Sequence, residues 1–165
     1  MSDIYSKAEL MDMGFDKVGD DVAVSRDTRL FAIQGSLGDG VRIDAFSILT
    51  GNIILGNHVH VSPFCFLAGT GGKITMGNYS GIASHVSIFT KSADYRTLES
   101  ENTEKVKGDV SIGEYSIIGS GTRIMPDITI SEHVNIGCNC IVNHNIEKDS
   151  ILVSRGTGLV TVSKR

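Results

Sequence analysis

The side chains best suited to move a proton near neutral pH are the histidines of this chain: His58, His60, His85, His133 and His144. Three cysteines, Cys65, Cys138 and Cys140, are the other candidate ligands or nucleophiles. Cys138 and Cys140 have neither the spacing nor the partner pair of a zinc site. We therefore expect no metal. We also expect Cys65 and Cys140, which occupy a small-residue position after an apolar one, to be buried packing thiols.

An aliphatic residue that returns every six positions decides how these side chains are placed. One run is Ile112, Ile118, Ile124, Ile130, Ile136 and Val142, and an earlier run is Leu37, Ile43, Leu49, Leu55, Val61 and Leu67. A period of six fits neither the 3.6-residue helix nor a single two-faced strand. It fits a three-sided solenoid with one hexad on each side. The pattern predicts an all-β fold, a left-handed parallel β-helix of hexapeptide repeats.

Three hexads make one coil, so the inward residues should stack in three columns. The first column is predicted to be Leu37, Leu55, Met76, Ile112 and Ile130, the second Ile43, Val61, Ile82, Ile118 and Ile136, and the third Leu49, Leu67, Ile88, Ile124 and Val142. An outward column is expected too, because His58, Tyr79, Tyr115 and His133 share one position of the hexad. We interpret that column as part of a flat subunit interface.

The periodicity divides a single predicted domain, 1–165, into three segments and one long loop. Residues 1–17 should form a cap helix, with a capping box in Ser6–Glu9 and a stop at Gly14. Leu10, Met11 and Phe15 are predicted to pack it on the end of the solenoid. The β-helix should span 18–149, with a small bulge at Lys73–Thr75 and a polar loop at 91–109. Residues 150–165 leave the register and are predicted to pack on the outside.

Composition narrows the partners of this chain. A net charge of −4 without a Lys/Arg-rich block argues against a nucleic-acid partner. No apolar run of about 18 residues predicts a membrane span. The N-terminus lacks an export pattern, so we expect a cytoplasmic protein. Flat-sided rods associate readily by closed symmetry, and we expect a homotrimer.

With the coils laid out, the chain resembles the hexapeptide-repeat acyltransferases over nearly its whole length. The matching segments are 5–15, 56–65, 77–82, 86–95 and 112–130, which contain Gly56-Asn57-His58-Val59-His60, Gly77-Asn78-Tyr79-Ser80-Gly81-Ile82 and Pro126-Asp127-Ile128-Thr129-Ile130. The resemblance is to the sugar O-acetyltransferase type, which includes the maltose and galactoside acetyltransferases. Within that type, it is to the group found in surface-polysaccharide and O-antigen biosynthesis.

This resemblance implies a reaction, a cofactor and an assembly. The donor would be acetyl-CoA or another acyl-CoA, and the acceptor a sugar or a nucleotide-linked sugar. The resemblance also implies a homotrimer with three active sites between subunits.

The resemblance implies site residues as well. Acyl transfer to a hydroxyl needs a base and donors for the oxyanion. The stretch around His60 helps to line the acceptor site in the similar enzymes, which makes His60 the first candidate base. His85, near the root of the loop, and Asp94, in the loop, are the other catalytic candidates. The similar enzymes thread CoA along their last coils. The matching positions are Gly119, Ser120, Gly121, Gly137, Cys138, Asn143 and His144, with Arg155 and Lys164 as candidates for the phosphates.

Departures from the family pattern keep alternatives open. The loop histidine that is the general base in the maltose and galactoside enzymes aligns with Ala93. An amine acceptor needs a weaker base than a hydroxyl, so an N-acyltransferase of a nucleotide-linked amino sugar is one alternative. A non-catalytic β-helix assembly protein is a second. A metal-dependent hydratase of the γ-carbonic-anhydrase type is a third, although the histidine spacing does not resemble its ligand set.

Overall fold

The structure, a computed structural model, describes residues 3–93, 105–155 and 158–162. Its helix α1 is Lys7–Asp12. The strands are β1 (Lys17–Val18), β2 (Ala23–Val24), β3 (Arg29–Leu37), β4 (Arg42–Ile43), β5 (Ile48–Leu55), β6 (His60–Val61), β7 (Phe66–Met76), β8 (Gly81–Ile82), β9 (Ser87–Phe89), β10 (Lys91–Ala93), β11 (Lys105–Lys107), β12 (Val110–Ile112), β13 (Ile117–Ile118), β14 (Arg123–Ile124), β15 (Ile128–Ile130), β16 (Asn135–Ile136), β17 (Ile141–Val142), β18 (Ile151–Arg155) and β19 (Gly158–Val162). No helix in these residues is long and apolar enough to cross a membrane.

The strands wind into a parallel, left-handed β-solenoid, which confirms the predicted fold class. Leu37, Leu55, Met76, Ile112 and Ile130 are successive partners in the parallel ladders of face 1. The predicted second and third columns follow on face 2 and face 3 with the same partners in the same order. All of these inward side chains are buried and form one continuous apolar core. Alternation along each strand therefore turns the neighbouring side chains outward.

Sharp corners join the three faces. The first corner, between faces 1 and 2, includes 56–58, 77–79, 113–115 and 131–133. The second, between faces 2 and 3, includes 44–46, 62–64, 83–85, 119–121 and 137–139. The third, between faces 3 and 1, includes 69–72, 125–127 and 143–145, and the described residues 90–93 and 105–109. At the first and second corners the last residue of each segment adopts positive φ, including His58 (56°), His85 (63°) and Gly121 (72°).

The helix at the N-terminus begins with the predicted capping box. The Ser6 Oγ accepts a hydrogen bond from the Glu9 backbone N–H, and the Glu9 carboxylate accepts one from the Ser6 backbone N–H. Leu10 and Phe15 are buried against the first coil, whereas Met11 is exposed, so the prediction that Met11 packs there is wrong. Met11 lies on the solvent side of a helix that has only one buried face.

Two other local predictions need correction. The bulge lies at 70–72, not at Lys73–Thr75, because Gly51 pairs with Gly69 and Asn52 already pairs with Lys73. The C-terminal segment does not simply pack outside. Leu152 of β18 adds a buried residue to face 2 beside Ile136, and β19 then returns antiparallel to β18.

The long loop leaves the third corner as an antiparallel ribbon. β10 pairs with β11, with Lys91 opposite Lys107 and Ala93 opposite Lys105. The predicted loop of 91–109 thus begins and ends in regular structure, and its central part lies outside the described residues.

Candidate active site

His60 projects from face 2 of the solenoid. It precedes Val61, whose side chain fills the core, so the alternation of β6 turns the imidazole outward. Arg42 and Gly81 are its partners in the coils on either side. The His60 side chain is 45% exposed, which leaves it accessible to a substrate.

Asp44 holds the imidazole of His60. The distance from His60 Nε2 to Asp44 Oδ2 is 2.8 Å, and Arg42 Nε donates to Asp44 Oδ1 at 2.7 Å. Asp44 lies two residues after Arg42, and both side chains point outward. Because Arg42 is the partner of His60 in the adjacent coil, Asp44 is a diagonal neighbour of His60. The arrangement is a base with an orienting carboxylate, and the carboxylate is itself held by a guanidinium.

The charge of Asp44 is set by competing influences. Burial raises the pKa of this carboxyl, but hydrogen bonds from His60 and then Arg42 outweigh it, and the pKa is lowered from its usual value. Asp44 is therefore an anion at neutral pH. A carboxylate can only accept hydrogen bonds, so in the neutral ring the Nε2 atom carries the proton. The Nδ1 atom then has a free lone pair to take a proton from a substrate.

The face beside this pair is lined by small residues. Gly81 adjoins His60 in the next coil, and a methyl group there would meet no atom closer than 3.6 Å. Small residues also follow Asp44 at the same position of the successive coils, at the edge of face 2. They are Ser62, Ala83, Gly119 and Gly137, and the backbone N–H of each donates to the coil that follows. On face 2 itself, Gly81 leaves space beside His60 that ends at the exposed Ile117 of the following coil.

The candidate CoA positions divide between two corners. Gly119, Ser120, Gly121, Gly137 and Cys138 lie at the second corner, where Asn139 N–H donates to Ser120 O at 2.8 Å. Asn143 and His144 lie at the third corner, where the His144 Nδ1 is 3.1 Å from the Asn143 side-chain oxygen. Within one subunit, the structure does not bring these two groups together.

Coil stacking also explains two of these glycines. A Cβ on Gly119 would lie 2.5 Å from the carbonyl carbon of Gly137. A Cβ on Gly121, whose φ is +72°, would lie 2.2 Å from the Asn139 side-chain oxygen. These glycines are needed for the approach of the next coil, whether or not a ligand binds there.

His85 lies at the second corner, one coil from Ser120 and Gly121. Its ring stacks on Phe64 at 5.1 Å, and Phe64 stacks on Phe46 at 5.2 Å. His85 is exposed, and Gly121 N–H donates to the carbonyl of its neighbour Ser84. It therefore lies with the candidate CoA positions at the edge of face 2, whereas His60 lies on the face itself.

Three sequence candidates have no described side chain. Asp94 and Lys164 lie outside the described residues, and Arg155 is described only through its backbone in β18. The cysteines behave as expected, since Cys65 and Cys140 are buried. Burial is the main cause that raises the pKa of the Cys65 thiol to about 11, so the thiol is neutral and serves in packing.

Asp44 and Arg42 are the site residues that the sequence reasoning missed. The signal was present, because Arg42 occupies the same outward position as His60 one coil earlier and Asp44 is the next outward residue. Within the described ranges, no group of three or more His, Cys, Asp or Glu side chains is placed to hold a metal ion.

Comparison with known proteins identifies the family. No protein-family model matches the chain. The dTDP-4-amino-4,6-dideoxy-D-glucose acyltransferase of Escherichia coli is 31% identical over 156 residues, which cover 88% of this chain and 81% of that enzyme. The bifunctional protein GlmU of Trichodesmium erythraeum is 26% identical over 72% of this chain but only 26% of its own length.

Solved structures of other acyltransferases share the fold. AntD, an N-acyltransferase from Bacillus cereus solved with dTDP and 3-hydroxybutyryl-CoA, has a TM-score of 0.87 and 27% identity, covering 100% of this chain and 91% of AntD. The acetyltransferase domain of PglB from Neisseria gonorrhoeae has a TM-score of 0.64 at 15% identity over 86% of this chain and 57% of that domain, which supports the fold alone. With its hexad columns and its E. coli relative, this chain belongs to the hexapeptide-repeat β-helix acyltransferases.

Proposed function

We propose that this protein is an N-acyltransferase that moves an acyl group from acyl-CoA to the amine of a dTDP-linked 4-amino sugar. The observation that carries this proposal is the similarity to the E. coli acyltransferase, whose name specifies such a sugar, at 31% identity over 88% of the chain. AntD supports it, because one AntD variant was solved with dTDP-4-amino-4,6-dideoxyglucose and coenzyme A.

The residues around His60 suit this chemistry. The Nδ1 atom of His60 takes a proton from the sugar ammonium, and the free amine attacks the thioester carbonyl. The carbon–sulfur bond breaks as the amide forms, and CoA leaves as the thiol after one further proton passes from the nitrogen to the sulfur. Asp44 keeps the imidazole in the required tautomer and orientation, as a carboxylate partner does for other histidine bases.

Ala93 favours an amine over a hydroxyl acceptor. A hydroxyl is a poor nucleophile until a base removes its proton, whereas a neutral amine attacks unaided. In the similar O-acetyltransferases the loop histidine supplies that base, and this chain has Ala93 at the aligned position. O-Acetylation remains a second candidate because the His60–Asp44 pair is itself an oriented base.

Paired acceptors separate the two candidates. Purified protein is incubated with dTDP-4-amino-4,6-dideoxyglucose or with the matching dTDP-sugar that carries a 4-hydroxyl, and with acetyl-CoA or 3-hydroxybutyryl-CoA. Mass spectrometry should show the acyl group only on the amino sugar, in a linkage stable to hydroxylamine. An acyl ester on the hydroxyl sugar would instead favour O-transfer. No product with any combination would favour the non-catalytic alternative.

The assembly and the cellular role complete the proposal. We infer a homotrimer with sites between subunits, in which each chain is one domain and the long loop reaches a neighbouring subunit. Light scattering coupled to gel filtration should give three times the 17.7 kDa chain mass. An acylated nucleotide sugar is an activated building block, so a role in surface-polysaccharide or O-antigen synthesis is consistent with the proposed product.

A further inference from the structure

Three lysines lie on one side of the ribbon that opens the long loop. Lys91 is directly opposite Lys107 in the antiparallel pair of β10 and β11, and Lys105 is opposite Ala93. Side chains alternate between the two sides of a strand, so Lys91, Lys105 and Lys107 share one side. We call these three residues the lysine cluster.

The ammonium groups of the lysine cluster are close enough to interact. The charge of Lys105, then burial, and with a smaller contribution the charge of Lys107, lower the pKa of Lys91. Like charges opposite each other in an antiparallel pair are destabilising. Among the described residues, no carboxylate forms an ion pair with any of the three. The cluster is a local concentration of positive charge on a chain whose net charge is −4.

The root of the ribbon is fixed by hydrogen bonds. The buried Thr90 hydroxyl donates to Ala68 O at 2.6 Å and accepts from Gly71 N–H at 3.0 Å. Gly108 N–H donates to Thr90 O at 3.1 Å, which closes the other strand of the ribbon onto the same residue. These hydrogen bonds hold the backbone at the base of the lysine cluster in place. Less entropy is therefore lost when the cluster binds a ligand.

A glycine-rich bulge packs beside the cluster. A Cβ on Gly71 would lie 2.5 Å from the Cβ of Lys91, so the bulge backbone approaches this lysine closely. Thr70 is exposed at the tip, whereas the Asp109 carboxylate lies beside Gly72 and accepts a hydrogen bond from Lys73 N–H at 2.9 Å. The part of the bulge that can meet a ligand is therefore the Thr70 hydroxyl, and lysine ammoniums beside a hydroxyl suit phosphate oxygens.

We propose that the lysine cluster, with the bulge at 70–72, is a binding site for the diphosphate of a nucleotide substrate. This inference rests on the proposed function for the identity of the nucleotide. Both the dTDP-sugar acceptor and the CoA donor contain a diphosphate, so the shared chemistry fits either of them.

Calorimetric titration of the full-length protein tests the site. The ligands are dTDP, CoA and sodium pyrophosphate, and the proteins are wild type, the double variant Lys91→Gln/Lys107→Gln and the control Lys17→Gln. Lys17 is an exposed lysine of β1 far along the solenoid from the ribbon. We expect the double variant to bind pyrophosphate and one of the two nucleotides at least ten-fold more weakly, with the control within two-fold of wild type. The nucleotide that is affected identifies the source of the diphosphate.

The other outcomes separate this inference from the proposed function. Unchanged Kd values for all three ligands in the double variant would overturn the phosphate site and leave the proposed function intact. A lowered Tm with unchanged pyrophosphate binding would also overturn it, because the lysines would then stabilise the fold without binding phosphate. If the wild type binds neither dTDP nor CoA but loses pyrophosphate binding on substitution, the site stands and the proposed function fails.

Discussion

His58 and His60 are two residues apart and have opposite surroundings. His58 lies at the first corner with φ +56°, and its ring stacks on Tyr79 at 4.8 Å. Tyr79 in turn stacks on Tyr115 at 5.2 Å, and the column ends at His133, whose ring is tilted by 57° against Tyr115 at 5.3 Å. His60 lies on the flat face, where Asp44 holds one ring nitrogen at 2.8 Å.

The contrast shows that the place of a residue in the hexad decides what a histidine does in this fold. A corner residue stacks on the corner residues of adjacent coils, so its ring faces are covered and its contribution is to packing. A residue on the face has polar outward neighbours at diagonal positions, so a carboxylate can orient its ring. Only the second setting prepares a nitrogen for proton transfer.

The largest expected difference is in catalysis. His60→Ala should lower kcat/KM for the amino sugar at pH 7 by about 100-fold or more, within the usual range for loss of a general base. His58→Ala should change it less than about three-fold. Steady-state assays of CoA release measure both. The deficit of His60→Ala should shrink at high pH, where the amine loses its proton to solvent. An equal loss of kcat/KM in His60→Ala and His58→Ala would contradict the assignment of His60 as the base.

The corner stack should matter for stability and not for turnover. Tyr79→Ala removes the two stacking contacts of Tyr79, each of about 0.5–1.5 kcal/mol, and should lower the free energy of unfolding by about 1–3 kcal/mol. Tyr79→Gly should be about 1 kcal/mol more stable than Tyr79→Ala, because glycine adopts the φ of +57° without strain. Urea unfolding at a fixed protein concentration measures these differences. If Tyr79→Ala lowers kcat per folded enzyme, the claim that corner residues contribute only to packing is contradicted.

The smallest expected effect concerns Asp44 and acid. Its pKa is lowered in the folded protein, so its stabilising contribution is complete above the unfolded value of about 3.9 and is lost as the pH falls through the folded value. Asp44→Asn should therefore be less stable than wild type by about 1 kcal/mol at pH 5. The gap should narrow at pH 3. Thermal unfolding at the two pH values tests this, and a gap that widens in acid would contradict the lowered pKa.

The sequence was sufficient for the architecture because the core repeats. Each buried residue of the three columns is aliphatic and spaced by the hexad, so pairing follows from counting. The same counting predicted the outward column from His58 to His133, which the successive ring contacts confirm. Counting hexads failed where the number of residues in a coil changes. Three residues are inserted between Gly69 and Lys73, but the hexads fix only the number of extra residues and not which ones leave the ladder. Leu152 continues face 2 in a coil shorter than the regular one, so its role was hidden.

The site was less predictable than the fold. The hexad register would have placed Arg42 beside His60 and Asp44 diagonally across from it. The spacing does not predict the rotamers that bring His60 Nε2 and Asp44 Oδ2 to 2.8 Å. The resemblance makes Gly119 a candidate CoA position, whereas its close approach to Gly137 in the next coil gives a structural reason for a glycine. The lysine cluster became visible only when the ribbon pairing set Lys91 opposite Lys107.

The most direct test of the role of His60 is a crystal structure with CoA and dTDP-4-amino-4,6-dideoxyglucose bound together. We predict that the sugar amine and the CoA sulfur meet over face 2, with the amine within hydrogen-bond reach, about 3 Å, of His60 Nδ1. A complex in which the amine and the sulfur meet at the stacked corner, or at any place out of reach of His60, would contradict it.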